Sequence, residues 1–162
     1  MIINEILSAQ SESDQRLELD AILAKCCELV ISNQERDPKY YGMVGACVVF
    51  PDSRHVYATS HKDDVGLWVH AERAAINACG DDITSDCTIV TTLSPCNQKM
   101  STRAGLNCDH VIKEIYGIKN IYCGYVDPTQ ESMLIDVTEN PKLRELCKRL
   151  ANTFLKNTKN SP

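Results

Sequence analysis

From Asp14 onward the chain repeats apolar residues at intervals of three and four: Leu19, Ile22, Leu23, Cys26, Leu29 and Val30 fall on one face of a helix. That helix is expected to stop before Asp37-Pro38, because a residue preceding proline is pushed out of the helical region. Residues 1–13 read as a polar, flexible N-terminus. Met43 to Phe50 is a short, nearly continuous apolar run, and Pro51-Asp52-Ser53 turns it into Arg54 to Thr59, the pattern of a β-hairpin. A helix is predicted from His70 to Cys79, closed by Gly80 in a left-handed cap. Cys87 to Leu93 reads as a strand, Asn107 to Tyr116 as a helix ending at Gly117, and Asn120 to Tyr125 as a further strand. Asn140-Pro141 starts a last helix, asparagine capping and proline in the first turn, with Leu143, Leu146, Cys147, Leu150, Ala151 and Phe154 as its apolar stripe. Residues 157–162 are expected to fray. The order predicts a single α/β domain over residues 14–156, a sheet covered by helices on both faces.

Composition narrows the class. With 43% hydrophobic and 24% charged residues in 162, the chain matches an ordinary globular domain, and no apolar run approaches the ~20 residues needed to span a bilayer. No membrane partner is expected. The first residues carry neither a basic segment nor a sustained apolar one, so no signal peptide is read and a cytoplasmic location is expected. The nine cysteines should then be mostly thiols. Cys26, Cys27, Cys47, Cys79 and Cys147 sit inside apolar patterns as small hydrophobes, which leaves Cys87, Cys96, Cys108 and Cys123.

The net charge of −5 is uneven: residues 1–40 carry −4, residues 41–140 carry −6 and residues 141–162 carry +5. An acidic body lacks the clustered cations that bind phosphate backbones, and 6% aromatic content offers little for stacking a strand, so no nucleic-acid partner is expected.

The candidate chemistry lies in three pieces: His70-Ala71-Glu72 opening a helix, Pro95-Cys96 just after a strand, and Cys108 opening the next helix. One nitrogen and two sulfur donors suit zinc, with a fourth position left for water. Cysteine binds zinc as the thiolate, and a helix start favours that form at Cys108. Cys87 and Cys123 lie on strands and read as packing residues. At ~100° per residue, His70 and Glu72 would diverge on a regular helix. They can serve one site only at the entry turn, which requires the helix to begin close to His70. Glu72 is then offset from the ligand set and suited to moving protons.

His70-Ala71-Glu72-Arg73-Ala74-Ala75-Ile76 and Thr92-Leu93-Ser94-Pro95-Cys96, with Val44-Gly45-Ala46-Cys47-Val48-Val49 as first strand, resemble the cytidine deaminase superfamily over about Val44 to Pro128. The resemblance implies a three-layer α/β/α sandwich, zinc held by His70, Cys96 and Cys108, Glu72 as proton shuttle, and homo-oligomers. Eleven residues separate Cys96 from Cys108 where many members have two. In this the chain is similar to the deaminase domain of riboflavin biosynthesis, although the segment before the first strand is Asp37-Pro38-Lys39-Tyr40-Tyr41-Gly42.

The expected function is therefore a zinc-dependent hydrolytic deaminase of a small aminopyrimidine or a related nucleoside or nucleotide. The rivals are a nucleic-acid base deaminase and a catalytically silent zinc-binding scaffold. Glu72, a carboxylate no structural zinc site requires, speaks against the scaffold. Lys99 and Arg103, the charged residues between the two cysteines, read either as a rim binding substrate phosphate or as a solvated insertion. Trp68 reads as a core plug or, alternatively, as a substrate-pocket wall. His110 reads as structural or exposed.

Overall fold

The computed structural model describes the backbone of residues 2–96, 107–128 and 135–159, and side chains within 12–96, 107–128 and 135–153. Six strands form one sheet: β1 (Tyr41–Val49), β2 (His55–Lys62), β3 (Trp68–Val69), β4 (Thr88–Leu93), β5 (Asn120–Tyr125) and β6 (Asp136–Val137). Their order is β3-β2-β1-β4-β5-β6. β1 runs antiparallel to both β2 and β4, whereas β5 is parallel to β4 and β6 is parallel to β5. The predicted hairpin is β1 and β2.

Successive residues of a strand face opposite sides, and the sequence uses both. Ala46, Val48 and Ile89 pack against Ala71, Ala75 and Ile76 of helix α2 (Ala71–Cys79). Cys47, Val90 and Tyr122 face the other way, onto Ile22, Leu23, Cys26 and Val30 of α1 (Ile2–Arg36) and Cys147 and Leu150 of α4 (Pro141–Lys159). Two apolar cores on either side of one sheet make the α/β/α sandwich that the pattern predicts. The five cysteines read as small hydrophobes are all buried.

Three expectations change. α1 begins at Ile2 rather than near Asp14. Residues 12–15 are exposed, so this part of the helix carries no apolar face to announce it. The helix predicted over Asn107 to Tyr116 is one α-turn, α3 (Cys108–His110), that passes into a π-helical stretch, Val111–Ile115. α4 runs to Lys159, past the start of the expected fraying. Gly80 and Gly117 take the positive φ that glycine allows, 59° and 67°, although a ψ of −135° puts Gly80 outside the left-handed helical cap expected there, and Asn140 Oδ1 accepts from the amides of Lys142 and Leu143 at 3.0 and 3.2 Å.

α1 sits very close to the sheet. A Cβ at Gly45 would lie 2.7 Å from the Cys26 carbonyl oxygen and 2.9 Å from Val30 Cγ2. β1 is irregular between Tyr41 and Gly45, and the Gly45 amide donates to Thr92 Oγ1 at 3.1 Å. Farther along α1, Asp20 Oδ1 accepts from the Tyr122 hydroxyl at 2.5 Å and the Thr138 hydroxyl at 2.6 Å, tying the helix to β5 and the segment after β6. Among the described residues no helix is long and apolar enough to cross a membrane.

Candidate metal centre

His70 caps α2 from an extended conformation, φ −68° and ψ 148°, and its carbonyl accepts from the Ala74 amide at 2.9 Å. The helix therefore starts where the His70–Glu72 spacing demanded. Cys96 follows β4 on a short segment held against the end of β5: the Ser94 amide donates to the Tyr125 carbonyl and the Asp127 amide to Ser94 Oγ, both at 2.9 Å. Cys108 opens α3 behind the cap of Asn107, whose side chain accepts from the His110 amide at 2.7 Å. Two backbone donors then join the cysteine segments. The Asp109 amide reaches the Cys96 carbonyl at 3.0 Å, and the Cys108 amide reaches Cys96 Sγ at 3.3 Å.

These local choices converge on one point. His70 Nδ1 lies 3.5 Å from Cys96 Sγ and 3.3 Å from Cys108 Sγ. The three donor atoms are all within 4.8 Å of one another. One imidazole nitrogen and two thiol sulfurs around a common point fit zinc, which takes these donors tetrahedrally and leaves a fourth position. Nδ1 is the ring nitrogen facing both sulfurs, so it is the atom available to a metal.

The electrostatics of the cluster favour thiolate at Cys96, and not at Cys108 as its place at a helix start led one to expect. The hydrogen bond with Cys108 is the main cause that brings Cys96 down to about 4, with His70 acting in the same direction against the cost of burial. Cys108, holding the proton of that bond and buried, is pushed up. The hydrogen bond to Cys96 raises His70.

Glu72 stands beside this cluster rather than within it. Only 4% of it is exposed, and Thr91 Oγ1 lies 2.8 Å from its Oε1. Burial is the first cause that pushes its carboxyl up, opposed by His70, its own backbone and Thr91. A carboxyl whose hold on a proton is strengthened in this way is suited to taking one up and giving it back.

Of the other residues singled out from the sequence, Cys87 and Cys123 are fully buried and outside the metal-ligating group. His110 is exposed. Trp68 is not a core plug: 48% of it is exposed on the edge strand β3, with Lys62 Nζ 5.3 Å from its ring centroid. An edge strand covers only one side of a residue, so the apolar character of tryptophan alone did not bury it. Lys99 and Arg103 lie outside the described residues. Thr91 is the residue that sequence reasoning missed. Its signal is a hydroxyl on the same strand face as Ile89, within the otherwise apolar run Ile89-Val90-Thr91.

The fold recurs in known structures. The diaminohydroxyphosphoribosylaminopyrimidine deaminase/5-amino-6-(5-phosphoribosylamino)uracil reductase of Thermotoga maritima superposes with a TM-score of 0.63 at 21% identity, over 88% of this chain and 43% of that one. RibD of Acinetobacter baumannii gives 0.64 at 16% identity, over 90% of this chain and 41% of that one. The chain thus spans less than half the length of either. No curated protein matches its sequence. The model of the cytidine and deoxycytidylate deaminase zinc-binding region matches residues 18–125, a stretch that holds both cysteines and the His70-Ala71-Glu72 helix start, and the chain belongs to this family of zinc-binding deaminases.

Proposed function

We propose that this protein is a hydrolytic deaminase that replaces the amino group of a small aminopyrimidine with an oxo group and releases ammonia. The observation that carries the reading is the buried Glu72 carboxyl, set by the same helix turn as His70 and outside the three-donor cluster. A zinc site that only braced a fold would need no such group.

His70, Cys96 and Cys108 would hold the metal. Zinc bound there supplies a nucleophile at neutral pH by acidifying water. The chain's own residues then do the rest. Glu72 would take the proton released as the nucleophile forms and pass it to the ring nitrogen, then take the proton of the hydroxyl now on the ring carbon and give it to the amine, which leaves as ammonia while the oxo group forms. Its raised affinity for a proton suits both halves of that cycle. The α2 start keeps the carboxyl two residues from His70 and buried, out of reach of bulk water.

The substrate class we infer is an aminopyrimidine carried on ribose phosphate. The wide spacing between Cys96 and Cys108 supports it, as does the fold shared with the Thermotoga enzyme. In this reading Lys99 and Arg103 pair with the phosphate. The acidic body keeps nucleic acid an unfavourable partner. Self-association is part of the proposal, since the sheet-covering helices are where family members would meet.

The test is ammonia release by the zinc-loaded protein across diaminohydroxyphosphoribosylaminopyrimidine, its dephosphorylated form, cytidine, deoxycytidylate, adenosine and guanine. Turnover of the phosphorylated aminopyrimidine in preference to the others is expected. Turnover of none by a fully zinc-loaded protein would favour the scaffold reading.

A further inference from the structure

Thr91 occupies the middle of β4, paired with Ala46 of β1 on one side and Cys123 of β5 on the other, and is fully buried. Valine has the same shape and is the ordinary choice for such a place. A hydroxyl buried there is costly unless it finds a partner. Thr91 finds two: Oγ1 lies 2.8 Å from Glu72 Oε1 and 2.8 Å from the Leu93 carbonyl oxygen.

Those two partners belong to different limbs of the site. Glu72 rides on the helix that His70 opens, while Leu93 ends the strand that runs through Ser94-Pro95 into Cys96. The hydroxyl therefore spans from the helix carrying one ligand to the strand leading to another. A β-branched side chain on a central strand has a stiff χ1, so its Oγ1 is a fixed point. Glutamate, by contrast, has three side-chain torsions and would wander without an anchor. The hydroxyl has one hydrogen and two acceptors within reach: it donates to Glu72 Oε1 when the carboxyl is ionised, and donates to the Leu93 carbonyl while accepting from Glu72 when the carboxyl carries a proton, so the contact with Oε1 holds in both forms.

We propose that Thr91 is a positioning residue for the deamination, clamping Glu72 Oε1 and thereby aiming the second carboxylate oxygen at the substrate. The inference rests on the proposed function, in which Glu72 carries the proton. Thr91 touches neither metal nor substrate and acts only through Glu72.

The experiment compares zinc-loaded wild-type protein with Thr91→Val, Thr91→Ser and Glu72→Gln, using diaminohydroxyphosphoribosylaminopyrimidine as probe. Zinc content, kcat and KM are measured, and crystal structures of the zinc-loaded variants give the position of the Glu72 carboxylate. Thr91→Val is expected to keep zinc and KM while kcat falls about ten- to hundredfold, the usual effect of removing an outer-shell partner. Its Glu72 carboxylate leaves the wild-type position. Thr91→Ser keeps the hydroxyl and should retain most of kcat and the carboxylate position. Thr91→Ala serves as the second apolar variant if valine at this site prevents folding. Wild-type kcat in Thr91→Val, or equal impairment of the serine and valine variants, overturns the inference. So does an undisplaced carboxylate in Thr91→Val, which decides the matter even if the probe is not turned over. An active Glu72→Gln would instead defeat the role of Glu72 itself, leaving the two failures distinct.

Discussion

Cys108 Sγ and His70 Nδ1, 38 positions apart in the chain, lie 3.3 Å from each other. Each opens a helix, and the two helix starts meet because Cys108 and Asp109 donate their amides to Cys96, itself held at the end of β4. The metal-ligating group is thus assembled by backbone hydrogen bonds as much as by its side chains. Those contacts set the donors before any ion arrives, which lowers the ordering cost of binding.

Zinc content follows from this geometry. The purified protein should hold one zinc per chain by elemental analysis. His70→Ala, Cys96→Ser and Cys108→Ser should each lose most of it, whereas Cys87→Ser and Cys123→Ser should keep it. Full occupancy in Cys108→Ser would remove that residue from the ligand set.

Glu72→Ala separates binding from chemistry. Because Glu72 stands outside the donor cluster, its loss should leave zinc in place while lowering kcat by about 10²–10⁴, the usual contribution of a general acid or base. Ammonia release measured beside zinc content gives the answer, and near-normal turnover would count against the proton role.

Proton competition gives a pH dependence. As a ligand His70 would bind metal through a neutral ring nitrogen, and its pKa is raised by the hydrogen bond with Cys96. A raised pKa keeps the ring protonated to higher pH in the metal-free protein, so zinc affinity should fall as pH drops through that range and recover above it. Competition with a chromophoric chelator across pH measures this. A flat profile through that range would contradict the ligand role of His70.

Gly45→Ala tests how α1 meets the sheet. The new Cβ would come within 2.7 Å of the Cys26 carbonyl oxygen, a backbone atom that cannot rotate away. Overpacking of this kind costs about 1–3 kcal/mol. A clear fall in Tm is expected with zinc content preserved, since the crowding lies on the face opposite α2. An unchanged Tm would mean that α1 can retreat without loss.

Much of this protein was legible in its residue pattern, because the signals involved are local. A histidine two positions before a glutamate constrains where a helix can begin, and α2 begins there. Gly80, Gly117 and Asn140 announce their caps through backbone freedom or a short side-chain acceptor, which need no distant partner. The two-core sandwich follows from nearly continuous apolar runs on the central strands and apolar stripes on α1 and α4. Other features depended on neighbours remote in sequence. Residues 12–15 of α1 are exposed and carry no apolar face, and two-residue strands such as β3 and β6 are too short for any period to show. The exposure of Trp68 depends on which edge of the sheet β3 takes, and strand order is a property of the whole sheet. The pairing of Thr91 with Glu72 joins a strand to a helix across 19 positions, and only the packed layers bring that hydroxyl and that carboxyl within 2.8 Å. Residue type thus determined which groups could do chemistry, and tertiary packing decided which of them meet, since contact between distant segments is paid for by the whole core and not by local preference.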